Sequence, residues 1–252
     1  IQRILSISEF LPDIQSPVRN FLHSGIQRKK ENDMLSYETI RQNENIRTYI
    51  QKADESLRTL GYTEHSFAHV TKVAETAGEI LSTFGYSAHD VELVKIAGYL
   101  HDIGNLVNRV EHSQSGAVMA FRILDKLGMD AEDIADIVTA IGNHDEGTGT
   151  PVNAISAALF LADKSDVRRS RVRNTDPASY DIHDRVNYSV DESKLELDPE
   201  AGEIRLRLHI DPAYSTVADY FEIFLTRMLL CKKAAEKLGQ YFRLVINGQN
   251  LM

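Results

Sequence analysis

Ile96-Ala-Gly-Tyr-Leu-His-Asp-Ile-Gly104 carries an apolar run straight into His101-Asp102. Val91, Leu93 and Val94 extend that run upstream, so the segment reads as a helix that is apolar nearly all round and buried at the centre of its domain. Gly104 is expected to stop it shortly after the His-Asp pair. Before it, Phe67, Val70, Ala74, Ala77, Leu81 and Phe84 recur at spacings of three and four, one face of a helix, with Ser66 as its N-cap. After it, helices are expected over 113–127, closed by Gly128, over 130–142, and from about 152 to 166. Asn143 to Pro151 reads as a loop. The helical pattern begins near 43 and ends near 170.

Beyond 170 the signal changes. Arg168-Arg-Ser-Arg-Val-Arg173 and Asn174-Thr-Asp-Pro177 are charged and turn-rich. Lys194–Asp198 and Glu203–Ile210 alternate with period two around Pro199-Glu-Ala-Gly202, a hairpin with one wet face. A helix follows from about 216 to 238, and Tyr241-Phe-Arg-Leu-Val-Ile246 reads as a last strand. The expected fold is mainly α: a helical bundle with a small C-terminal α+β appendage of hairpin, helix and strand. The boundaries are 1–33 as an N-terminal arm or linker, 34–175 as the helical domain, and 176–252 as the appendage. The chain does not begin with methionine, and Met34 reads as the start of the functional unit; an additional helical arm is the other reading of 1–33.

A chain of 252 residues can bury a full core. Its net charge of −9 argues against affinity for nucleic-acid polymers, which basic surfaces hold. A small anion is still compatible, because a few local cations outweigh the global field. The single cysteine, Cys231, rules out an intrachain disulfide framework, suits a cytoplasmic location and is expected in the core. No apolar run reaches the roughly 18–20 residues of a membrane span, and Ile1–Ser8 is too polar for a secretory signal.

The chemistry-bearing residues fall in an ordered series: His69, His101-Asp102, His112, His144-Asp145, Asp163. Six of these seven could enclose two divalent metal ions. An adjacent His-Asp suits that role, since the imidazole holds one metal while the short carboxylate bridges to a second. Imidazole with carboxylate points to iron or manganese first, with zinc, nickel and magnesium as further candidates, and away from calcium. Burying Asp102 and Asp163 without positive partners is costly, and bound metal supplies such a partner.

His69, His101-Asp102 and Asp163 resemble the signature of the HD superfamily of metal-dependent phosphohydrolases, and Leu161-Ala-Asp-Lys-Ser-Asp166 is similar to that family's sequences. Glu111-His112-Ser-Gln-Ser-Gly116 and Gly142-Asn-His144-Asp-Glu146 resemble the two additional histidine motifs of its binuclear members. The resemblance covers about 60–170. It implies an HD-type helical core with His69, His101, Asp102, His112, His144 and Asp163 as ligands and Asp102 bridging. Departures from the cyclic-di-GMP phosphodiesterase branch are Asn105 in place of lysine, His144-Asp145 in place of two histidines, and Gly149-Thr-Pro151 in place of Gly-Tyr-Pro.

The function expected is two-metal hydrolysis of a phosphate ester in a nucleotide or related small molecule, with Asp102 central and Arg109, Lys164 or Arg168 orienting the phosphate. Arg168, Arg169, Arg171 and Arg173 form the one dense basic patch, whose plainer reading is a solvated helix end with ion pairs. His65 and Asp145 are candidates for a supporting or seventh-ligand role. Membrane and nucleic-acid polymer are not expected partners, and a homodimer is an allowed assembly. Two other readings keep the site: a mixed-valent di-iron oxygenase, and a regulatory module whose C-terminal unit mediates partner contacts.

Overall fold

The computed structural model describes residues 35–252; the expected arm at 1–33 lies outside the described residues. Among the described residues, nine α-helices and four strands follow in order. The helices before the sheet are α1 (Tyr37–Gln42), α2 (Glu44–Thr59), α3 (Phe67–Thr83), α4 (Ala88–Leu100), α5 (His112–Lys126), α6 (Ala131–Gly142), α7 (Ala154–Ser165) and α8 (Ile182–Ser189). Then come β1 (Val190–Asp198), β2 (Glu203–Ile210), α9 (Val217–Lys237), β3 (Tyr241–Ile246) and β4 (Gln249–Asn250). The mainly α architecture with a small C-terminal sheet is the one expected. No described helix is long and apolar enough to cross a membrane.

Local chemistry sets the boundaries. Ser66 accepts from the amide of Ala68 at the start of α3, while Ser87 with Asp90 and Asn153 with Ser156 form capping boxes on α4 and α7. Gly128 takes φ of 82° just past α5, a conformation that glycine adopts without a steric penalty. Helix α4 is buried along Leu93, Val94 and Ile96 to Leu100, as an all-round apolar helix should be.

Two glycines bring the site's elements together by close approach. A Cβ on Gly98 would lie 2.7 Å from Cα of Ala74, so α3 and α4 touch backbone to backbone. Gly104 does not end α4 by conformational freedom: the helix stops at Leu100, and a short 3-10 turn runs from Ile103 to Leu106. Its glycine is needed because a Cβ there would stand 1.9 Å from the carbonyl of His112 and 2.5 Å from the amide of Gly116. That contact seats the first turn of α5 beside Asp102. Gly98→Ala is expected to force α3 and α4 apart. Overpacking costs about 1–3 kcal/mol, a fall in melting temperature of several degrees for a chain of this size. Calorimetry that finds no fall would contradict this packing.

The sheet order is β1-β2-β3-β4. β1 and β2 pair antiparallel, β2 and β3 pair parallel through the α9 crossover, and β3 and β4 close as a hairpin. Three features extend the sequence reading. Asp181 caps the short helix α8, which lies between the turn-rich 168–177 stretch and the expected hairpin, where no element was expected. β1 begins at Val190, four residues before the expected Lys194. β4 follows the Asn247-Gly248 turn, both of whose residues have positive φ. Helix α9 packs on α7 and on β3, and its buried Tyr220, Phe224, Met228 and Cys231 belong to the same core as α3, α4 and α7. Cys231 is buried as expected, and burial pushes its thiol up to about 12.

Candidate metal centre

Five elements converge on one point. His69 lies in the first turn of α3, and His101 and Asp102 follow the last residue of α4. His112 opens α5, His144 follows α6, and Asp163 sits in the last turn of α7. Glu111, just before His112, holds φ of 56°, a conformation rare for a residue with a side chain, and there the loop turns sharply into α5. Four of these six residues are the imidazoles, and all four are buried.

The imidazoles divide between the two oxygens of Asp102. His101 and His69 place Nε2 3.2 and 3.6 Å from Oδ2. His112 and His144 place Nε2 3.6 and 4.0 Å from Oδ1. Asp163 joins the first pair, its Oδ1 standing 3.4 Å from His69 and 3.8 Å from His101. Donor atoms of His69, His101 and Asp163, and of His101, Asp102 and His144, lie within 4.8 Å of one another.

The other nitrogen of each ring fixes the tautomer. Nδ1 of His101 faces the carbonyl of Gly98 at 2.7 Å, that of His112 the carbonyl of Arg109 at 3.1 Å, and that of His144 the carbonyl of Ile141 at 2.6 Å. Nδ1 of His69 faces Oδ2 of Asp166 at 2.8 Å. Since all four Nδ1 atoms donate, all four Nε2 atoms present lone pairs to the centre. The 3.1 Å approach of His112 Nε2 to His144 Nε2 is then two acceptors sharing a target and not a hydrogen bond. Nε2 of His69, Nε2 of His101 and Oδ2 of Asp102 are buried with no hydrogen-bond partner. Buried polar atoms are rarely left unpaired, and acceptors gathered this way are complementary to cations. The residues present therefore fit divalent metal.

Burial lowers the His101 ring, but Asp102 and Asp163 outweigh it and raise it, so the carboxylates draw positive charge onto that imidazole; a bound metal would supply that charge and leave all four rings neutral. Burial raises the Asp102 carboxyl, but His101, His65 and His69 outweigh it and hold the group well below the usual carboxylate range. For Asp163, burial is outweighed by Lys164 and the imidazoles of His69 and His101. Burial, with help from His101 and Lys164, pushes His144 down to about 3, so the ring is neutral, as a ligating imidazole must be.

A cavity of about 420 Å³ opens over this cluster, with Asp102, His112, His144 and Asp163 in its lining. That volume suits a small molecule. Arg109 and Lys164, two of the residues read from the sequence as candidates to orient a phosphate, are in its lining. Arg109 has a 3.3 Å hydrogen bond to Asn105 and lies 3.4 Å from His112. Lys164 is clamped between Glu146 at 2.6 Å and Asp163 at 2.7 Å. So Asp163 has a protein partner besides any metal.

Arg168 is elsewhere. It bonds Asp166, Glu64 and Ser170 and is not part of the cavity lining, so the expected phosphate contact is instead an internal ion pair. The rest of the basic patch is spent similarly, Arg173 on Asp54 and Arg169 on the carbonyl of Tyr188. Arg171 bonds the carbonyls of Glu64 and Asp166 while also lining the cavity. His65 is half-buried beside His69 and lines the cavity too. Asp145 turns to the amide of Gly147 and joins neither group of donors.

Two further residues take a defined role only in the folded chain. Asp166, 1% exposed, accepts from His69, Lys72 and Arg168. Its signal was its place in Asp163-Lys-Ser-Asp166, where it follows the last residue of α7. Arg227 of α9 bonds Glu146 at 2.7 Å and lines the cavity, and nothing in the local sequence marks it.

The chain is similar to several known proteins. The chain is 24% identical over 213 residues to an uncharacterized protein of Methanocaldococcus jannaschii, covering 75% of this chain and 80% of that one. It is 27% identical over 188 residues to Ribonuclease Y 1 of Pediococcus pentosaceus, covering 71% of this chain but only 33% of that protein. A solved structure described as a predicted HD superfamily hydrolase, from an uncultured Thermotogales bacterium, aligns with 27% identity and a TM-score of 0.39, covering 49% of this chain and 67% of that one. Residues 66–174, which hold all six converging side chains, match the family model described as HD domain.

Proposed function

We propose that the protein is a metal-dependent phosphohydrolase that cleaves a phosphate ester of a nucleotide or related small molecule at a two-metal centre. The observation that carries this reading is the division of four imidazole lone pairs between the two oxygens of one buried carboxylate, Asp102. His69, His101 and Asp163 would hold one ion with Oδ2, and His112 and His144 the other with Oδ1. Bound there, two divalent ions supply a hydroxide near neutral pH and offset charge on the transferred phosphoryl group.

The chain's own residues do the rest. Backbone carbonyls and Asp166 hold the four rings in orientation, so no rotamer freedom is lost when metal binds. Arg109 presents a guanidinium beside His112, suited to a phosphate oxygen. Lys164, pinned on two carboxylates, orients Asp163 and adds positive charge to the cavity. The HD domain match supports metal-dependent hydrolysis. Similarity to a ribonuclease favours a phosphodiester as the bond class, a second reading at the same site. The charge of −9 favours a small ester over a polymer.

The test is product release across nucleoside mono-, di- and cyclic phosphates and dinucleotides, with protein reconstituted with manganese, iron or zinc. Metal-dependent release from at least one class is expected. Oxygen uptake by iron-loaded protein without phosphate release would favour the oxygenase reading. Tight nucleotide binding without turnover would favour the regulatory module.

A further inference from the structure

We propose that Arg227 of α9 is a substrate-binding residue, so that the C-terminal segment completes the active site and is not a separate appendage. The proposal rests on the phosphohydrolase reading and names who else holds the substrate. Three observations carry it. Arg227 lines the same cavity as Asp102, Asp163 and His112. Its guanidinium lies over the Phe224 ring at 4.2 Å and bonds Glu146 through Nη2, which fixes the plane. Its Nε is buried and has no acceptor. A guanidinium held in a fixed plane on the cavity wall suits an oxygen of a phosphate-like anion.

The placement complements Arg109. Arg109 stands beside His112, in the half of the centre facing Oδ1 of Asp102. Arg227 reaches the other half through Glu146, Lys164 and Asp163. Both guanidinium groups thus line the cavity, Arg109 beside His112 and Arg227 linked to Asp163 through Glu146 and Lys164. The lining contributed by α8 is of a different kind: Asp181, Asp184 and Asn187, with His183 between them. Carboxylates there disfavour a second anionic arm and accept hydrogen bonds from hydroxyl or amino groups. The substrate class this implies is a phosphate ester with its phosphate at the floor and a hydroxyl- or amine-bearing alcohol toward α8.

The experiment measures binding of inorganic phosphate, the reaction product, by calorimetry to metal-loaded full-length protein, wild type and Arg227→Met. Methionine keeps the aliphatic packing on Phe224, and Lys164 still pairs Glu146. Metal content should be unchanged, phosphate affinity should fall about ten-fold or more, and KM for a cleaved ester should rise more than kcat falls. A purely structural Arg227 predicts unchanged phosphate affinity in folded variant, which would overturn the proposal. A readout on the wild type covers a variant that does not fold: phosphate should protect Arg227 from modification by phenylglyoxal, mapped by mass spectrometry, and equal modification with and without phosphate would overturn it. Wild-type protein that loads metal but binds no phosphate would overturn this proposal and the phosphohydrolase reading together, whereas phosphate binding that is blind to Arg227 removes only this proposal.

Discussion

Replacing Asp102 with alanine is expected to remove metal from both half-sites and abolish ester hydrolysis. Both oxygens of this carboxylate face imidazole Nε2 atoms, Oδ2 those of His69 and His101 and Oδ1 those of His112 and His144. Without it, two cations would face each other across a buried site with no anion between them. Breaking a buried charge set by removing one member costs about 3–5 kcal/mol, or roughly a hundred- to a thousand-fold and more in metal affinity. Asp102→Asn should also lose metal, since the amide keeps the shape and loses the charge. The measurement is metal content after dialysis against a weak chelator, with circular dichroism to verify helix content. A folded variant that keeps full metal occupancy would contradict the bridging role.

The second large effect is expected at Asp166, which touches no proposed metal. Its Oδ2 accepts from Nδ1 of His69, and its Oδ1 accepts from Lys72 and Arg168 at 2.8 and 2.9 Å. Asp166→Ala therefore frees the His69 ring and leaves a cluster of cations, Arg171 included, without their carboxylate. Loss of a carboxylate that orients a ligating imidazole lowers metal affinity by about 10–100-fold, and the unpaired buried charges should cost roughly 3–5 kcal/mol of stability. The pH dependence has a definite sign. Burial raises the Asp166 carboxyl, but His69, Arg171 and Lys72 lower it further, so the group lies below its ordinary range in the folded chain. Its contribution is complete above the unfolded value of about 3.9 and is lost as pH falls through the folded value. Denaturant unfolding of metal-free wild type and variant should differ most near neutrality and converge in strong acid. A gap that is constant with pH would rule out the charge of Asp166 as its source.

The centre was legible because its residues lie at element ends, where sequence punctuation is strongest. His101-Asp102 ends an apolar helix, His112 and His144 adjoin predicted boundaries, and all three coincide with helix ends in the structure. The glycines were visible, but the reason for Gly104 was not. Its constraint comes from the backbone of His112 and Gly116, a tertiary contact that no local pattern encodes. The arginines show the same limit. Arg168 lies in the dense basic patch and Arg227 in a mostly apolar helical stretch, yet Glu64 and Asp166 consume the first while the α9 crossover carries the second to the cavity. Charge density in the sequence pointed to 168–173, whereas the geometry that decides a phosphate contact depends on which carboxylates fold back onto each guanidinium. Helix α8 was hidden for a simpler reason: with eight residues and a few buried positions, its apolar period is too short to stand out from turn-forming neighbours. The Asn247-Gly248 pair was a readable hairpin signal, and it closes β3 onto β4.

The central claim is that two metal ions share Asp102. It is tested most directly by an anomalous-difference map from crystals of the manganese-loaded protein, recorded on both sides of the metal absorption edge. Two peaks about 3.5–4 Å apart are expected, one among His69, His101, Asp163 and Oδ2 of Asp102, the other among His112, His144 and Oδ1. A single peak at full occupancy, or metal held away from Asp102, would contradict it.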